Sequence, residues 1–446
     1  MKSGLKIYLL LSVFALISFL VKGQEDSVSF SLEKAKQFAM ENSYILKNTD
    51  RDITKAEQKV WETISTGLPQ VSGSANYNWF LNLPVSLIPG EFFGGEPGTY
   101  IPVKFGQDYN SDFGLTVQQQ IFDGSYIVGI GSTKLYLSLA EQMHEKTEID
   151  IRDAVTRAYY MVLVSIEYKK IMEDNLSNTQ ELYDETEIYY ENGFREEQDV
   201  DQLKLLLRNA ESEVLRADRE LTIAKVVLKY AMGYDLEQDI ILTDSLQQYL
   251  LPLTSQGISI PFDFNNHVDY RLAIANFEVS KKMLKLEKAA YLPRLSSFYS
   301  YSKTAYGNNA NLFNSDWYPS SMIGFQITVP IFNSGQKMKK VQQARVDVEK
   351  AETDRRLTEI TLQKDYLTAK AQKESALERF QNDRENRILA EKIRVKTNIK
   401  FDNGLSSSTE LMQIETQYID AYRALVTSTL QLLQADLDLS KVLGKL

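Results

Sequence analysis

Two long stretches without a helix breaker constrain the fold of this chain more than any other feature. From about Ser125 to Asn192 only a few early glycines interrupt helix-forming sequence, and from about Gly335 to Asn403 nothing does. Each stretch has about 70 residues, and at 1.5 Å per residue it would form a helix roughly 100 Å long. Such helices are rare in globular domains and typical of coiled coils and tubes, so we expect long helices packed against one another.

Apolar and small residues recur at alternating spacings of four and three in the helical segments. This spacing places the residues on one helix face, which coiled-coil packing buries. Frequent alanines at these positions let helix axes approach closely. The three sets are Val155, Tyr159, Val162 and Ile166; Ala210, Val214, Ala217, Leu221, Ala224 and Leu228; and Ile414, Tyr418, Ala421, Leu425, Ser428, Leu432, Ala435, Leu439 and Val442.

Four shorter segments alternate apolar and polar residues, which predicts β-strands at 70–80, 109–121, 294–304 and 319–331. One side of each is aromatic or aliphatic. The other carries Ser, Asn, Gln or Thr with few Lys or Glu, although Phe298 interrupts it. This pattern favours a transmembrane β-barrel over a soluble sheet with one wet face. Val117, Tyr299, Ile327 and Val329 are expected to face lipid or a neighbouring strand.

The helical and strand sequence patterns occur twice along the chain, in the same order. Four landmarks of the first half recur in the second at separations of 210 to 224 residues, which indicates an internal duplication. Each half is predicted as helix, strand, loop, strand, very long helix, tight turn and helix. The matched landmarks are Leu68-Pro69 with Leu292-Pro293, Ile121-Phe122 with Ile331-Phe332, Asn192-Gly193 with Asn403-Gly404, and Met232-Gly233 with Leu443-Gly444.

The expected organisation follows from this duplication. Residues 1–23 have the basic start and short apolar run of a signal peptide. An apolar run of about 15 residues is short for a membrane span, which disfavours an anchor. The first structural repeat spans 24–235, an inter-repeat segment 236–263, and the second repeat 264–446. The long helices are predicted at 125–192 and 335–402, and the helices after them at 196–232 and 406–444.

The composition argues against several classes of function. A net charge of −10 disfavours nucleic-acid binding, which needs clustered positive charge. The chain has no cysteine, which excludes disulfides, zinc–thiolate sites and a lipidated N-terminal cysteine. It has two histidines, and acid–base catalysis and metal binding commonly use histidine. We therefore expect no enzyme, no cofactor and no metal site.

In their order and spacing, these landmarks resemble the TolC-like outer-membrane efflux protein family, over essentially the whole mature chain. The resemblance implies a homotrimer in which three chains close a twelve-stranded barrel above a long α-helical periplasmic tunnel. It also implies an exit duct for drugs, metals or secreted polypeptides, docked to a periplasmic adaptor and an inner-membrane pump. Strand counting by itself excludes a monomer, since four strands cannot close and lipid does not tolerate open edges, but leaves dimer and trimer open.

The resemblance further implies two functional regions at the tunnel's periplasmic end. Asp199 and Glu410 follow the turn glycines by six residues and would lie near the pore constriction. There they would form acidic rings that favour cations, or cap helix N-termini, and both interpretations can hold. Some members lock the closed end with a Tyr and an Arg, where this sequence has Phe401 and Ser406. The turn residues expected to meet the adaptor are Asn192, Gly193, Phe194, Asn403, Gly404 and Leu405.

Aromatic residues at the strand ends are expected at the membrane interfaces. Trp79 ends an ascending strand and Trp317 begins a descending one, so both should lie at the outer leaflet. Phe122 and Phe332 should lie at the opposite rim.

The two loops at 81–107 and 306–316 each connect a pair of predicted strands. They should face the cell exterior, where barrel loops are long. The competing hypothesis for the whole chain is a periplasmic coiled-coil scaffold or adaptor without a barrel. Such a protein would have similar helices but would not need four alternating segments with aromatic faces.

Overall fold

A computed structural model describes residues 28–255 and 262–446, so the expected signal peptide at 1–23 lies outside the described residues. The chain forms two compact units, and each draws on both repeats. These units therefore do not coincide with the sequence repeats. Of the described residues, the helical unit comprises 28–50, 142–255, 262–271 and Leu357–Leu446, and the sheet unit comprises Arg51–Glu141 and Leu272–Arg356.

The first half begins with a short strand and two helices and then forms four strands and two longer helices. The elements are β1 Val28–Phe30, α1 Leu32–Asn42, α2 Tyr44–Ser65, β2 Gln70–Trp79, β3 Val85–Pro89, β4 Tyr100–Lys104, β5 Tyr109–Asp123, α3 Gly124–Glu191 and α4 Glu197–Met232. The β3–β4 hairpin and a single 3₁₀ turn occupy the segment that the sequence suggested only as a loop.

The second half follows an inter-repeat segment that has structure of its own. The elements are β6 Ile240–Leu242, α5 Leu246–Ser255, α6 Val268–Ala289, β7 Arg294–Gly307, β8 Trp317–Thr328, α7 Gln336–Asp402 and α8 Ser408–Val442. The strand expected at 319–331 therefore starts and ends earlier. Pro330 has no amide hydrogen to donate, and pairing stops at Thr328, so Val329 lies beyond the strand.

The helix faces predicted from the four–three spacing are the buried faces. Ala217, Ala224 and Leu228 on α4 are completely buried, as are Tyr159 on α3 and Leu432 on α8. The remaining positions are buried or half-buried, except Ile166, which is exposed one helical turn beyond the buried Val162. Across the described ranges, no helix is both long and apolar enough to cross a membrane.

Inside the helical unit, the inter-repeat segment forms hydrogen bonds with β1 and α1. β6 pairs in parallel with β1, and Asp244 accepts hydrogen bonds from the Leu32 amide, at 2.8 Å, and the Tyr249 hydroxyl. Burial raises the pKa of Asp244, but these hydrogen bonds outweigh it and hold the pKa below its ordinary value. Burial, with the Asp244 hydrogen bond, also raises the pKa of Tyr249.

The four longer strands form one antiparallel sheet in the order β2-β5-β7-β8. The central pair joins β5 of the first repeat to β7 of the second, so both repeats contribute to a single sheet. Strands β2 and β8 are its two edges. β5 leads directly into α3, because the Asp123 carboxylate accepts hydrogen bonds from the Ser125 and Tyr126 amides and so caps the helix.

Candidate functional site

The two helical hairpins end in turns of the same construction. Gly193 and Gly404 adopt φ of +78° and +72°, a conformation that glycine reaches at low cost. In each turn, the amide after the glycine donates to the carbonyl five residues earlier, which is the hydrogen bond of a Schellman motif. The pairs are Phe194 with Tyr189 and Leu405 with Lys400, each at 2.8 Å. The duplication seen in the sequence thus extends to individual hydrogen bonds.

The turns satisfy their polar groups and leave apolar side chains in solvent. The side-chain amides of Asn192 and Asn403 each donate to the carbonyl four residues earlier on their own helix. Phe194 and Leu405, next to the glycines, are 78% and 76% exposed. Each turn therefore presents one large apolar side chain to solvent directly after its glycine.

An arginine from the first hairpin holds the end of the second. Arg195, immediately after the first turn, donates to the Phe401 carbonyl at the end of α7. Its guanidinium also lies over the Phe401 ring, 4.0 Å from the centroid. Phe401 is 2% exposed and packs with Leu203 and Leu411. Sequence reasoning noted Phe401 but missed Arg195, whose partner lies 206 positions away along the chain.

Asp199 links the same two hairpins. One carboxylate oxygen accepts a hydrogen bond from Ser408 at the start of α8, and the other accepts from the Glu196 amide, which completes a capping box on α4. Nearby, the Thr409 hydroxyl donates to Gln202 at 3.2 Å. The capping interpretation of Asp199 is therefore visible in the structure.

Glu410 occupies the corresponding place on α8 but is more open. Its amide donates to the Ser407 hydroxyl, which caps the helix, and its carboxylate accepts from the Ser406 hydroxyl at 2.7 Å. Glu410 is exposed, whereas Asp199 is half-buried. Ser406 is a buried hydrogen-bond donor. The arginine of this region is Arg195.

The sheet has one apolar and one polar face, which the strand register sets. Residues directly opposite one another share a face, and the pairings Val71 with Val117, Val117 with Tyr299 and Tyr299 with Ile323 continue one apolar row across all four strands. On the polar face, Phe298 lies opposite Gly324, where a Cβ would come within 2.7 Å of the ring. The ring thus fills the space that the glycine leaves, which explains the interruption in the polar pattern.

The aromatic residues predicted at the strand ends lie at the ends of the apolar face. The Trp79 ring stacks on the Tyr109 ring with centroids 5.8 Å apart. The centroids of the Trp317 and Phe113 rings are 5.1 Å apart. At the other end, the register shifts between Gln120 and Phe122. This bulge leaves Ile121 without a partner and brings Phe122 opposite Leu295 on the apolar face. Phe332 follows β8 and is exposed.

A protein-family model described as outer membrane efflux protein matches residues 37–234 and 265–445, which is most of the chain. The chain belongs to the outer membrane efflux protein family. This outer membrane efflux protein is thus a transport channel of the outer membrane and not an enzyme. No curated protein matches its sequence at a significant level.

Solved structures show the same fold at low sequence identity. The CmeC outer membrane channel of Campylobacter jejuni aligns with a TM-score of 0.73 at 16% identity, over 93% of this chain and 85% of that chain. The outer membrane protein VceC of Vibrio cholerae aligns with a TM-score of 0.70 at 16% identity, over 93% of this chain and 96% of that chain. The open state of the MtrE outer membrane channel of Neisseria gonorrhoeae aligns with a TM-score of 0.69 at 16% identity, over 93% of this chain and 88% of that chain.

Proposed function

We propose that three copies of this outer membrane efflux protein form an exit duct from periplasm to exterior, docked to a periplasmic adaptor and an inner-membrane pump. The observation that carries the proposal is the four-stranded sheet with one apolar face, whose strand β5 runs without a break into α3 of 68 residues. A scaffold or adaptor without a barrel gives no reason for such a face.

The apolar face needs a nonpolar environment. Ile323, Phe325 and Ile327 on β8 are 75%, 72% and 68% exposed, although all three are large and apolar. Contiguous apolar surface of this kind is rare on soluble monomers, and lipid would cover it at no cost. The polar face would then line the lumen, as it does in water-filled barrels.

Closure of the barrel accounts for the two free edges. Pairing β8 of one copy with β2 of the next would remove both edges, and three copies would give twelve strands. Export assays in a strain that lacks the gene, together with conductance in planar bilayers, test this function. Restored export and a trimer that unfolds only on heating support the proposal; a monomer that forms no pore would refute it.

The hairpin turns are proposed as the adaptor contact. They combine a fixed backbone, set by Gly193 and Gly404, with the exposed side chains of Phe194 and Leu405. A rigid turn that presents apolar side chains loses little conformational entropy on binding, so it suits a docking surface.

The closed periplasmic end is proposed to be held by the contact between Arg195 and Phe401, with support from Asp199 and Ser408. A hydrogen bond that involves a charged group contributes about 1.5–3 kcal/mol, and the stacking of a cation on a ring contributes about 0.5–2 kcal/mol. These contacts join the two hairpins of one chain, so an opening that separates the hairpins must break them.

We predict that Arg195→Ala raises the open population of the channel. Loss of about 2 kcal/mol shifts a two-state equilibrium roughly thirtyfold, so mean conductance at low voltage should rise clearly. Single-channel recording measures this. Arg208→Ala is the matched control, because Arg208 pairs with Glu211 on its own helix. Equal conductance of Arg195→Ala and the unmodified channel would refute the clamp.

The constriction is proposed to carry an acidic ring, to which Glu410 contributes more than Asp199. Both oxygens of Asp199 accept hydrogen bonds within the chain, whereas Glu410 is exposed. In a trimer, three copies of Glu410 around a narrow axis would concentrate cations and repel anions.

We predict that Glu410→Gln lowers cation selectivity and weakens block by multivalent cations, and that Asp199→Asn has a smaller effect. Reversal potentials under a salt gradient report the selectivity. Asp420→Asn is the control, since Asp420 is an exposed acid on the same helix that pairs with Arg423. If the variant with both Glu410→Gln and Asp199→Asn kept the original selectivity, helix capping would be the whole role of the two acids.

A further inference from the structure

The loop between β7 and β8 folds back over the apolar face of the sheet. Leu312 is 4% exposed and lies against Gly307, where a Cβ would come within 2.6 Å of the leucine. Ala305 beneath the loop is completely buried. The Tyr77 hydroxyl of β2 donates to the Ala310 carbonyl at 2.8 Å, across the intervening strand β5. The loop therefore covers the apolar face at the end where Trp79 and Trp317 lie.

A cleft of about 410 Å³ opens on the apolar face directly below this loop. Its floor is recessed because two positions of β2, Gly73 and Ala75, have small or absent side chains. Phe113, Leu115 and Tyr301 form its sides. Ala75 and Phe113 also line the cavity beneath the loop, so the cleft begins where the covered region ends.

A lysine stands at the upper end of this cleft, on the face that otherwise lacks charge. Lys303 lies opposite Phe113 and Pro319, so the register places it on the apolar face. It is the only charged residue that the pairings of these four strands assign to that face. Within the described part of the chain, the side chain of Lys303 has no hydrogen bond or ion pair.

A lone cation on a lipid-facing surface is expensive unless it reaches the headgroup region. Lysine does this by extending its apolar stem along the surface and placing the ammonium in the polar layer. Lys303 lies one residue pair further into the sheet than Trp317 on the same face. From this depth the ammonium reaches the polar headgroup layer, where Trp317 is expected. The ammonium then attracts a negatively charged headgroup. The cleft extends from Lys303 toward Tyr301 and Gly73, away from the headgroup layer, so an acyl chain would lie along it.

We propose that this surface binds a phosphorylated glycolipid of the outer leaflet, with a phosphate against Lys303 and an acyl chain in the cleft over Gly73 and Ala75. The folded loop bounds the site from above, since its residues Ala310, Leu312 and Phe313 line the cavity that adjoins the cleft. The proposal depends on the location in the outer membrane and on no property of the export pathway.

The test is a binding titration on the purified full-length oligomer in detergent, with Trp61 and Trp79 replaced by phenylalanine so that Trp317 reports alone. The probes are lipid A with brominated acyl chains, which quench tryptophan, and the same lipid without its phosphates. We expect the phosphorylated lipid to bind about fivefold more tightly, the effect of one lysine at an anionic lipid surface. Lys303→Gln should abolish this preference, and Lys303→Arg should keep it.

Two further variants make the outcome decisive. Lys104→Gln, in the β3–β4 hairpin and outside the cleft, should retain the preference. Ala75→Leu fills the floor of the cleft and should weaken binding of both lipids. Equal affinity for the two lipids, or a preference that survives Lys303→Gln, would overturn the proposal. Export by Lys303→Gln should stay normal, so failure here is distinguishable from failure of the exit-duct function.

Discussion

Replacement of Gly404 by valine should abolish export while the oligomer still assembles. Gly404 has φ of +72°, and a non-glycine residue in this region costs about 1–2 kcal/mol, with a further penalty for a β-branched side chain. No atom lies within 4 Å of the Cβ that valine would add, so the whole cost is backbone strain at the turn. Export rate and heat-modifiable migration on gels measure the two expectations.

The chain offers a matched control for this substitution. Gly94, in the segment between β3 and β4, has φ of +76° and equally open surroundings, so Gly94→Val introduces the same strain away from the hairpin turns. That variant should export normally. Gly404→Asn should also retain export, because asparagine tolerates this conformation. Unchanged export by Gly404→Val would contradict the assignment of the turn to adaptor docking.

Arginine at Ile323 should prevent stable insertion of the sheet. Ile323 lies opposite Tyr299, in the row that contains Val117, and is 75% exposed in the single chain. A charged residue at a lipid-facing position near the bilayer midplane costs about 2–4 kcal/mol. Ile327 is less suitable for this test, since it lies next to the last residue of β8 and the cost falls near the interface. Yield of folded oligomer in the outer membrane measures the effect.

The neighbouring residue provides the control. Met322 lies opposite Ser300 on the polar face, so Met322→Arg should assemble nearly as well as the unmodified chain. Because adjacent strand residues point to opposite faces, the pair tests orientation separately from general intolerance of charge. The reverse result, in which only Met322→Arg fails to assemble, would show that the polar face meets lipid.

Local periodicity is sufficient to predict the long helices and the four longer strands. The positions at four–three spacing on α4 and α8 are buried or half-buried, and the alternating segments pair in one sheet, because both patterns follow from backbone geometry alone. The end of β8 was predicted too late because Val329 and Ile331 continue the alternation past the point where Pro330 stops pairing. Strands β1 and β6 have three residues each, too few for a periodic pattern to appear.

The functional contacts were predicted less well, since they join residues far apart in the sequence. The turn glycines were found because their motif occurs twice. The contact between Arg195 and Phe401 has no such signal, since it depends on where α7 and α3 end relative to each other. The position of Lys303 on the apolar face required the pairing register, and the fold of the β7–β8 loop required the buried contacts of Leu312.

The sheet order gives each copy two different edges, β2 from the first repeat and β8 from the second. A ring of such copies joins unlike edges, so each member must supply both. A chain with an intact β2 and a blocked β8 would enter the ring and then prevent its completion. Produced beside the normal chain in the same cell, it would act as a dominant-negative allele, whereas a chain that lacks the sheet altogether would be recessive.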